Sequence, residues 1–207
     1  MARAKAKRSW MERHVADPYV RRAQTLGYRS RAAFKLLEID AKDRLLFPGQ
    51  LVVDLGAAPG GWSQVAAAKL GPGGRVIAVD LAEIVPIPGV TAIRGDFTAA
   101  PVLREVEEAM GSRRADLVLS DLSPNLSGVA ATDQARSAYL CEQALEFAAA
   151  RLKPGGALLL KTFQGAGFPE LLGRVRARFE RVAVRKPGAS RDRSRETYLL
   201  GRGPRRA

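Results

Sequence analysis

The chain has 207 residues, 46% of them hydrophobic, with 34 Lys and Arg against 21 Asp and Glu and a net charge of +13. This length suits one domain with a full core, and no run of about 18 apolar residues could span a membrane. The basic N-terminus lacks the apolar segment of a secretory signal. The only cysteine, Cys141, and the only histidine, His14, exclude a disulfide framework and argue against a zinc site. We therefore expect a reducing, cytoplasmic location and no metal.

Positive charge is concentrated at the two ends of the chain. Residues 1–35 have a net charge of +8 and residues 174–207 of +9, whereas residues 36–173 have −4. This asymmetry favours a polyanion such as RNA, which we expect to contact residues 3–35 and the cluster Arg185, Lys186, Arg191, Arg193 and Arg195. The alternative is solvated surface charge in a chain with 26 Arg and 8 Lys. We predict one domain over residues 1–207, with a basic N-terminal arm over about 1–28.

Apolar periodicity predicts helices that alternate with short strands. In chain order these are a helix in RSRAAFKLLEID capped by Ser30, strand one in LVVDLG, a helix from Trp62, strands two and three in RVIAVDL and VTAIRGD, a helix in PVLREVEEAMG, strand four in ADLVLSD, a helix over 134–152, strand five in GALLLKTF, a helix in GFPELLGRVRARF, and strands six and seven in RVAVRKP and ETYLLG. This order predicts an α/β fold with a doubly wound, mostly parallel seven-stranded sheet. Only about eight residues, 188–195, precede strand seven, which is too few for a parallel crossover, so we expect it to be antiparallel.

The segment DLGAAPGGWSQ, residues 54–64, joins strand one to the next helix and has very few side chains. Glycines at 56, 60 and 61 permit positive φ and close approach of a ligand to the backbone. The helix start also offers unpaired N–H groups. Ala58 replaces the second glycine of a dinucleotide fingerprint, and no P-loop lysine follows. The segment is either an ordinary tight turn or, as we favour, a site for a nucleoside-type ligand without a pyrophosphate.

Polar residues map to the sheet edge where open α/β sheets bind ligands. Asp80, Asp121 and Lys161 end strands two, four and five, and Glu196 begins strand seven at the same edge. A lysine that closes an apolar strand needs partners, which Asp121 and Glu196 can supply. Lys161 could therefore belong to a reactive cluster or to a structural ion pair. Lys35 could be a fourth member or a surface lysine, since the sequence does not place its helix over this edge.

Five segments together resemble one known family: SRAAFKLLEID, VVDLGAAPGGWSQ, SDLSPNLSG, LLLKTFQGAGF and RKPGASRDRSRETYLL. From about Trp10 to Gly201 the chain is similar to the FtsJ/RrmJ family (also RlmE) of RNA ribose 2′-O-methyltransferases. The glycine segment is typical of the wider superfamily, and KPGASRDRSRE is more specific to the bacterial ribosomal RNA enzymes. The resemblance implies a Rossmann-like methyltransferase fold. It also implies a catalytic tetrad, at Lys35, Asp121, Lys161 and Glu196.

The resemblance further implies S-adenosylmethionine as cofactor. Its methionine part would lie against the glycine segment, near Gly60 and Trp62. Asp80 would accept hydrogen bonds from the ribose hydroxyls, Asp96 would contact the adenine amino group, and Asp121 would touch both cofactor and tetrad. The expected cofactor-binding residues are therefore Gly56, Gly60, Gly61, Trp62, Asp80, Asp96 and Asp121.

The substrate implied by the resemblance is a uridine in the A loop of 23S ribosomal RNA, in the large ribosomal subunit. The same chemistry on another RNA, such as a tRNA anticodon loop, is a second hypothesis. A non-catalytic RNA-binding or ribosome-assembly factor is a third, and the intact tetrad argues against it. An NAD-dependent oxidoreductase is a fourth, which Ala58 disfavours. We expect no membrane partner and a monomer.

Overall fold

The computed structural model describes residues 17–124, 127–190 and 194–205. The helices are α1 (Pro18–Thr25), α2 (Ala32–Asp43), α3 (Gly61–Leu70), α4 (Ala100–Met110), α5 (Ala130–Arg151) and α6 (Phe168–Arg178). The strands are β1 (Leu51–Leu55), β2 (Arg75–Asp80), β3 (Val90–Arg94), β4 (Ala115–Ser120), β5 (Leu152–Phe163), β6 (Phe179–Arg185) and β7 (Glu196–Pro204). The expected alternation of strands and helices is confirmed.

The seven strands form one sheet in the order β3-β2-β1-β4-β5-β7-β6. Strands β1 to β5 pair in parallel, and β7 inserts antiparallel between β5 and β6. The antiparallel last strand is thus confirmed. The strand order reverses between β1 and β4, which is where open parallel sheets form a ligand crevice.

Both faces of the sheet are covered, so its central strands are buried on both sides. One face packs on α4, α5 and α6, through residues such as Val106, Leu145 and Leu171. The other packs on α2 and α3, through Leu36 and Trp62 among others. Alternate residues of a strand point to opposite faces, so Lys161 lies on the same face as Leu159 and Tyr198, toward α2.

Several expected boundaries differ from the structure. The helix expected over 134–152 begins at Ala130, and β5 already pairs at Leu152, with a register irregularity before Ala157. Helix α1 was not predicted, although Asp17 followed by Pro18 is typical of a helix start.

The expected capping role of Ser30 is wrong. Arg31 occupies the N-cap position of α2 with helical φ and ψ, and no side chain caps this end. The Ser30 hydroxyl is instead buried against the glycine segment, where a Cβ on Gly61 would lie 2.3 Å from it. Packing against Gly61 therefore replaced the local cap that the sequence suggested.

Candidate active site

The structure brings the four residues of the predicted tetrad together as two ion pairs. Lys35 Nζ lies 2.7 Å from Glu196 Oε1 and donates a hydrogen bond of 2.9 Å to Oε2. Lys161 Nζ lies 3.1 Å from Asp121 Oδ1 and donates to the Asp121 backbone carbonyl at 2.6 Å. The first pair joins residues 161 positions apart in the chain, and it shows that α2 lies over this edge, which the sequence left open.

Tyr198 links the two ion pairs. Its hydroxyl lies 3.3 Å from Asp121 Oδ1 and 3.1 Å from Glu196 Oε1, so it can donate to either carboxylate. Tyr198 was not predicted as a site residue. The signal was available, because it follows Glu196 by two positions in a strand and so lies on the same face of the sheet.

The register of β5 and β7 fixes these positions. Lys161 pairs with Tyr198, and Phe163 pairs with Glu196. Lys161 therefore lies two residues before the end of β5, rather than at its end as expected. Ser190, before β7, donates a hydrogen bond of 2.9 Å to Glu196 Oε1, which holds that carboxylate toward Lys35.

Burial and charge together set the protonation of this cluster. Lys161 is only 7% exposed. Burial by itself raises the pKa of Glu196, but the charge and hydrogen bond of Lys35, the Ser190 hydroxyl and the charge of Lys161 lower that pKa overall. Burial, followed by the charges of Asp121 and Glu196, raises the pKa of Tyr198 well above its ordinary value. Glu196 is thus a carboxylate, and Tyr198 a neutral hydrogen-bond donor.

A groove of about 280 Å³ opens beside the tetrad, over the carboxyl ends of β1, β2 and β4. Four of the predicted cofactor-binding residues line it: Gly56, Asp80, Asp96 and Asp121. The groove therefore reaches Asp121 of the predicted tetrad, and contact of Asp121 with a cofactor stays a prediction.

Gly56 forms a wall of this groove with bare backbone. Its φ is +78°, and a Cβ at this position would lie 2.9 Å from Leu122 Cα. Its N–H donates to the Val79 carbonyl at 2.9 Å, which ties the glycine segment to β2. Only glycine satisfies both the conformation and the close approach.

The two groove aspartates also shape their own loops. The Asp80 oxygens accept hydrogen bonds from the N–H groups of Ala58 and Ala82, each at 2.9 Å. Asp96 Oδ1 accepts from the N–H and hydroxyl of Thr98. Each carboxylate oxygen has more than one lone pair, so both side chains can hold their loop and still accept from a ligand.

Gly60, Gly61 and Trp62 do not line the groove. Gly61 packs on Ser30, and Trp62 is 2% exposed, donates from its ring nitrogen to the Ala32 carbonyl at 2.7 Å and packs on the Tyr198 ring. Gly60, with φ of +104°, is enclosed by Ile87 and Arg29. These residues position α2 and the tetrad tyrosine, and their contact with a cofactor stays a prediction.

Asp54, the first residue of the glycine segment, is a buried acid that sequence reasoning did not single out. Its Oδ2 accepts a hydrogen bond of 2.6 Å from the Ser63 hydroxyl, while Oδ1 is buried without a partner among the described residues. Burial raises its pKa to about 7, against a lowering by Ser63. The Asp54–Ser63 bond ties the end of β1 to the start of α3 across the segment.

Some of the basic residues expected to contact RNA are used within the fold. Both oxygens of Asp43 accept hydrogen bonds from Arg185 at 2.7 Å, and Arg31 pairs with Asp17 at 2.5 Å. Lys186 donates to the Ser194 carbonyl. Residues 3–16, Arg191 and Arg193 lie outside the described residues, and their expected RNA contacts stay predictions.

Within residues 17–124, 127–190 and 194–205, no group of three or more His, Cys, Asp or Glu could hold a metal ion. No helix in that part of the chain is long and apolar enough to cross a membrane.

The sequence comparisons agree with this geometry. A family described as FtsJ-like methyltransferase matches residues 28–204. The chain is 56% identical to "Ribosomal RNA large subunit methyltransferase E" of Pseudomonas fluorescens, over 98% of this chain and 97% of the relative. It is 57% identical to the protein of the same name from an Azoarcus species, over 97% of this chain and 98% of the relative.

Solved structures share the fold. A ribosomal RNA methyltransferase from Plasmodium falciparum matches 86% of this chain and 98% of its own, with a TM-score of 0.75 and 28% identity. Fibrillarin from Aeropyrum pernix, solved with natively bound S-adenosylmethionine, matches 84% of this chain and 75% of its own, with a TM-score of 0.58 and 15% identity. The methyltransferase fold is therefore confirmed, and the chain belongs to the FtsJ-like methyltransferase family.

Proposed function

We propose that this protein methylates the ribose 2′-hydroxyl of a uridine in the A loop of 23S ribosomal RNA, with S-adenosylmethionine as methyl donor. The family is one of methyltransferases, and the relatives are named for the RNA of the large ribosomal subunit. The observation that carries the proposal is the nearly buried Lys161, which is paired to Asp121 at the point where the cofactor groove meets the tetrad.

The groove fits S-adenosylmethionine. Gly56 leaves room that a side chain would fill, and Asp80 and Asp96 offer acceptors to hydroxyl and amino groups. When bound, this cofactor supplies a methyl group already activated by its positive sulfur. The glycine segment, with Gly60, Gly61 and Trp62 at the start of α3, would hold the methionine part through backbone N–H groups. The protein then has to position the attacking oxygen and handle its proton.

Lys161 is the group we assign to the 2′-hydroxyl. To act as a base, Lys161 must be the neutral amine, which has two N–H donors and one lone pair. The Asp121 carboxylate and carbonyl would accept the two N–H groups, and the lone pair remains for the ribose hydroxyl. There Lys161 would accept the hydrogen bond of the hydroxyl, orient its oxygen toward the methyl group and take its proton to become the ammonium, which general bases do at hydrogen-bond distance.

The second ion pair and Tyr198 would hold this lysine and the substrate in place. Glu196 is bound by Lys35, Ser190 and Tyr198, so its carboxylate is fixed from three sides. Lys35 would contact the ribose or the adjoining phosphate, and Asp121 would hold Lys161. Because DNA lacks the 2′-oxygen, a site built around this hydroxyl accepts RNA and rejects DNA.

The test is to supply the purified protein with S-adenosylmethionine and either 23S RNA, both free and within the large subunit, or total tRNA, and to map 2′-O-methyl groups. We expect one modified uridine in the A loop, and no product when that nucleotide is 2′-deoxy. Methylation of a tRNA instead would favour the second hypothesis. RNA binding without transfer would favour an assembly factor. Calorimetry with S-adenosylmethionine and with NAD tests the fourth hypothesis, an NAD-dependent oxidoreductase. Binding of NAD alone would contradict the methyltransferase assignment.

A further inference from the structure

A second cavity, of about 420 Å³, lies on the other side of Ser123 and Pro124 from the cofactor groove. It is formed by the end of β5, the first turns of α5 and the start of α6. Thr162 lines it and directly follows Lys161 in β5, so its side chain points to the opposite face of the sheet from Lys161. The cavity therefore lies across β5 from the Lys161 side chain, and its size falls in the range of about 300–1,000 Å³ typical of ligand sites.

The lining combines apolar surface with neutral polar groups. Phe163 is exposed at 38%, Phe168 is half-buried, and both line the cavity. The exposed amides of Gln134 and Gln164 also line it, and each can both donate and accept. Asp133, the carboxylate in the lining, is engaged, because its oxygens accept hydrogen bonds from the N–H groups of Ser127 and Gly128. The exposed Arg195 lies at the rim.

We propose that this cavity binds one unstacked nucleobase of the RNA, located at the methylated nucleotide or immediately next to it. A base has apolar faces that stack on aromatic side chains and an edge of donors and acceptors that amides can pair with. An arginine at the rim suits the phosphate that adjoins such a base. A charged small molecule would instead need an unpaired charge deep in the lining. This inference rests on the proposed function, because it takes the RNA ribose to lie at Lys161.

The substitution Ala138→Phe would fill this cavity from α5, where Ala138 is exposed in the lining. The matched control is Ala150→Phe, the same change at an exposed position near the other end of the same helix. Gln164→Ala is a milder second variant, because it removes only the side-chain amide and keeps the backbone N–H that donates to the Arg195 carbonyl. Cofactor affinity and the melting temperature of each variant report whether the fold and the groove survive.

The experiment is a double-mutant cycle that combines each protein variant with RNA hairpins that lack one base. The base is removed, with the ribose kept, at the target nucleotide or one position to either side. Single-turnover methyl transfer and RNA affinity are both measured. For the wild type, loss of one of these bases should weaken the reaction or binding roughly tenfold, the scale of a stacked base. Ala138→Phe should cause a similar loss with intact RNA and no further loss with that base removed, since both changes delete one interaction.

Three results would overturn the proposal. One is that the losses caused by Ala138→Phe and by base removal multiply at all three nucleotide positions, both in methyl-transfer rate and in RNA affinity. Another is an Ala138→Phe variant that behaves as Ala150→Phe does. The third is an Ala138→Phe variant that binds the assembled large subunit more weakly but binds naked RNA as the wild type does. That result would indicate that the cavity binds a ribosomal protein. If the proposed function is wrong, the wild type will transfer no methyl group to intact RNA. The RNA affinities of the same variants and hairpins would then still test whether the cavity binds a base.

Discussion

The two halves of the site are built in different ways. The half to which we assign the cofactor (the cofactor half), over β1 and β2, consists largely of backbone, with Gly56 left bare and Asp80 holding neighbouring N–H groups. The tetrad half, over β4, β5 and β7, consists of side-chain charges in mutual contact, with Lys161 nearly buried. A site formed by backbone is disrupted by a substitution that adds side-chain atoms, whereas a cluster of charged side chains is disrupted by a substitution that removes one of them. The expected effects of mutations differ accordingly.

The largest effect is expected for Lys161→Ala in the tetrad half. Loss of a general base typically costs about 10² to 10⁴ in rate, so single-turnover methyl transfer with saturating RNA should fall by that factor while cofactor affinity holds. The control is Lys153→Ala in the same strand, where the lysine is half exposed and pairs with Asp116. Near-normal rates for Lys161→Ala would make the residue a structural partner of Asp121 only.

Lys161→Arg sharpens the same comparison. Arginine keeps the positive charge but does not release its proton near neutral pH. A purely electrostatic role would retain part of the activity, whereas a proton-accepting role would leave as little as the alanine variant. The measurement is again the single-turnover rate. Rates closer to wild type than to Lys161→Ala would exclude proton transfer to residue 161.

In the cofactor half, Gly56→Ala should reduce S-adenosylmethionine affinity by at least about tenfold, or about 1.4 kcal/mol, because the new Cβ meets Leu122 backbone at 2.9 Å. Gly111→Ala is the control for backbone strain alone. Gly111 also has positive φ, at +65°, and no atom lies within 4 Å of its Cβ position. Calorimetry measures both variants, and equal affinities would show that the close approach does not shape the cofactor groove.

An effect of another kind, on stability and not on catalysis or cofactor binding, is expected from Asp54, the first residue of the glycine segment. Its pKa is raised by burial to about 7 in the fold, so its contribution is fully present below the unfolded value near 4 and is lost as pH rises through about 7. The loss is on the order of 1.4 kcal/mol for each pKa unit of the shift. Denaturant unfolding of the wild type and of Asp54→Asn from pH 5 to 8 tests this. With rising pH, the unfolding free energy of the wild type should fall relative to that of Asp54→Asn, and parallel curves would contradict it.

The smallest effect is expected at the N-terminal Lys5, Lys7 and Arg8, which precede the residues that the structure describes. Neutralising all three should flatten the slope of log RNA affinity against log salt, by about 0.7 to 0.9 for each phosphate that these side chains neutralise in the wild type. Cofactor affinity should not change. The salt series is measured against the wild type, and an unchanged slope would make these charges solvated surface.

The same contrast explains what the sequence could predict. The alternation of strands and helices, the antiparallel β7 and the glycine segment follow from local pattern and spacing. The tetrad follows only in part. Topology placed Asp121, Lys161 and Glu196 at one edge of the sheet, but the family resemblance was needed to group Lys35 with Glu196, which lies 161 positions away. Tyr198 and Asp54 escaped notice because a tyrosine and an aspartate within apolar strands look like core and turn residues until the packing shows their partners.

The position of β7 has a consequence for how the chain matures. This strand is the last in sequence yet lies inside the sheet, where β6 pairs with β7 alone of the described strands. During synthesis, the cofactor half can form while β5 still has an open edge and β6 has no neighbour. The final strand closes that edge and delivers Glu196 and Tyr198 in the same step. A chain released before residue 196 would therefore lack both the finished sheet and two side chains of the proposed active site, so we expect an incomplete product to be inactive.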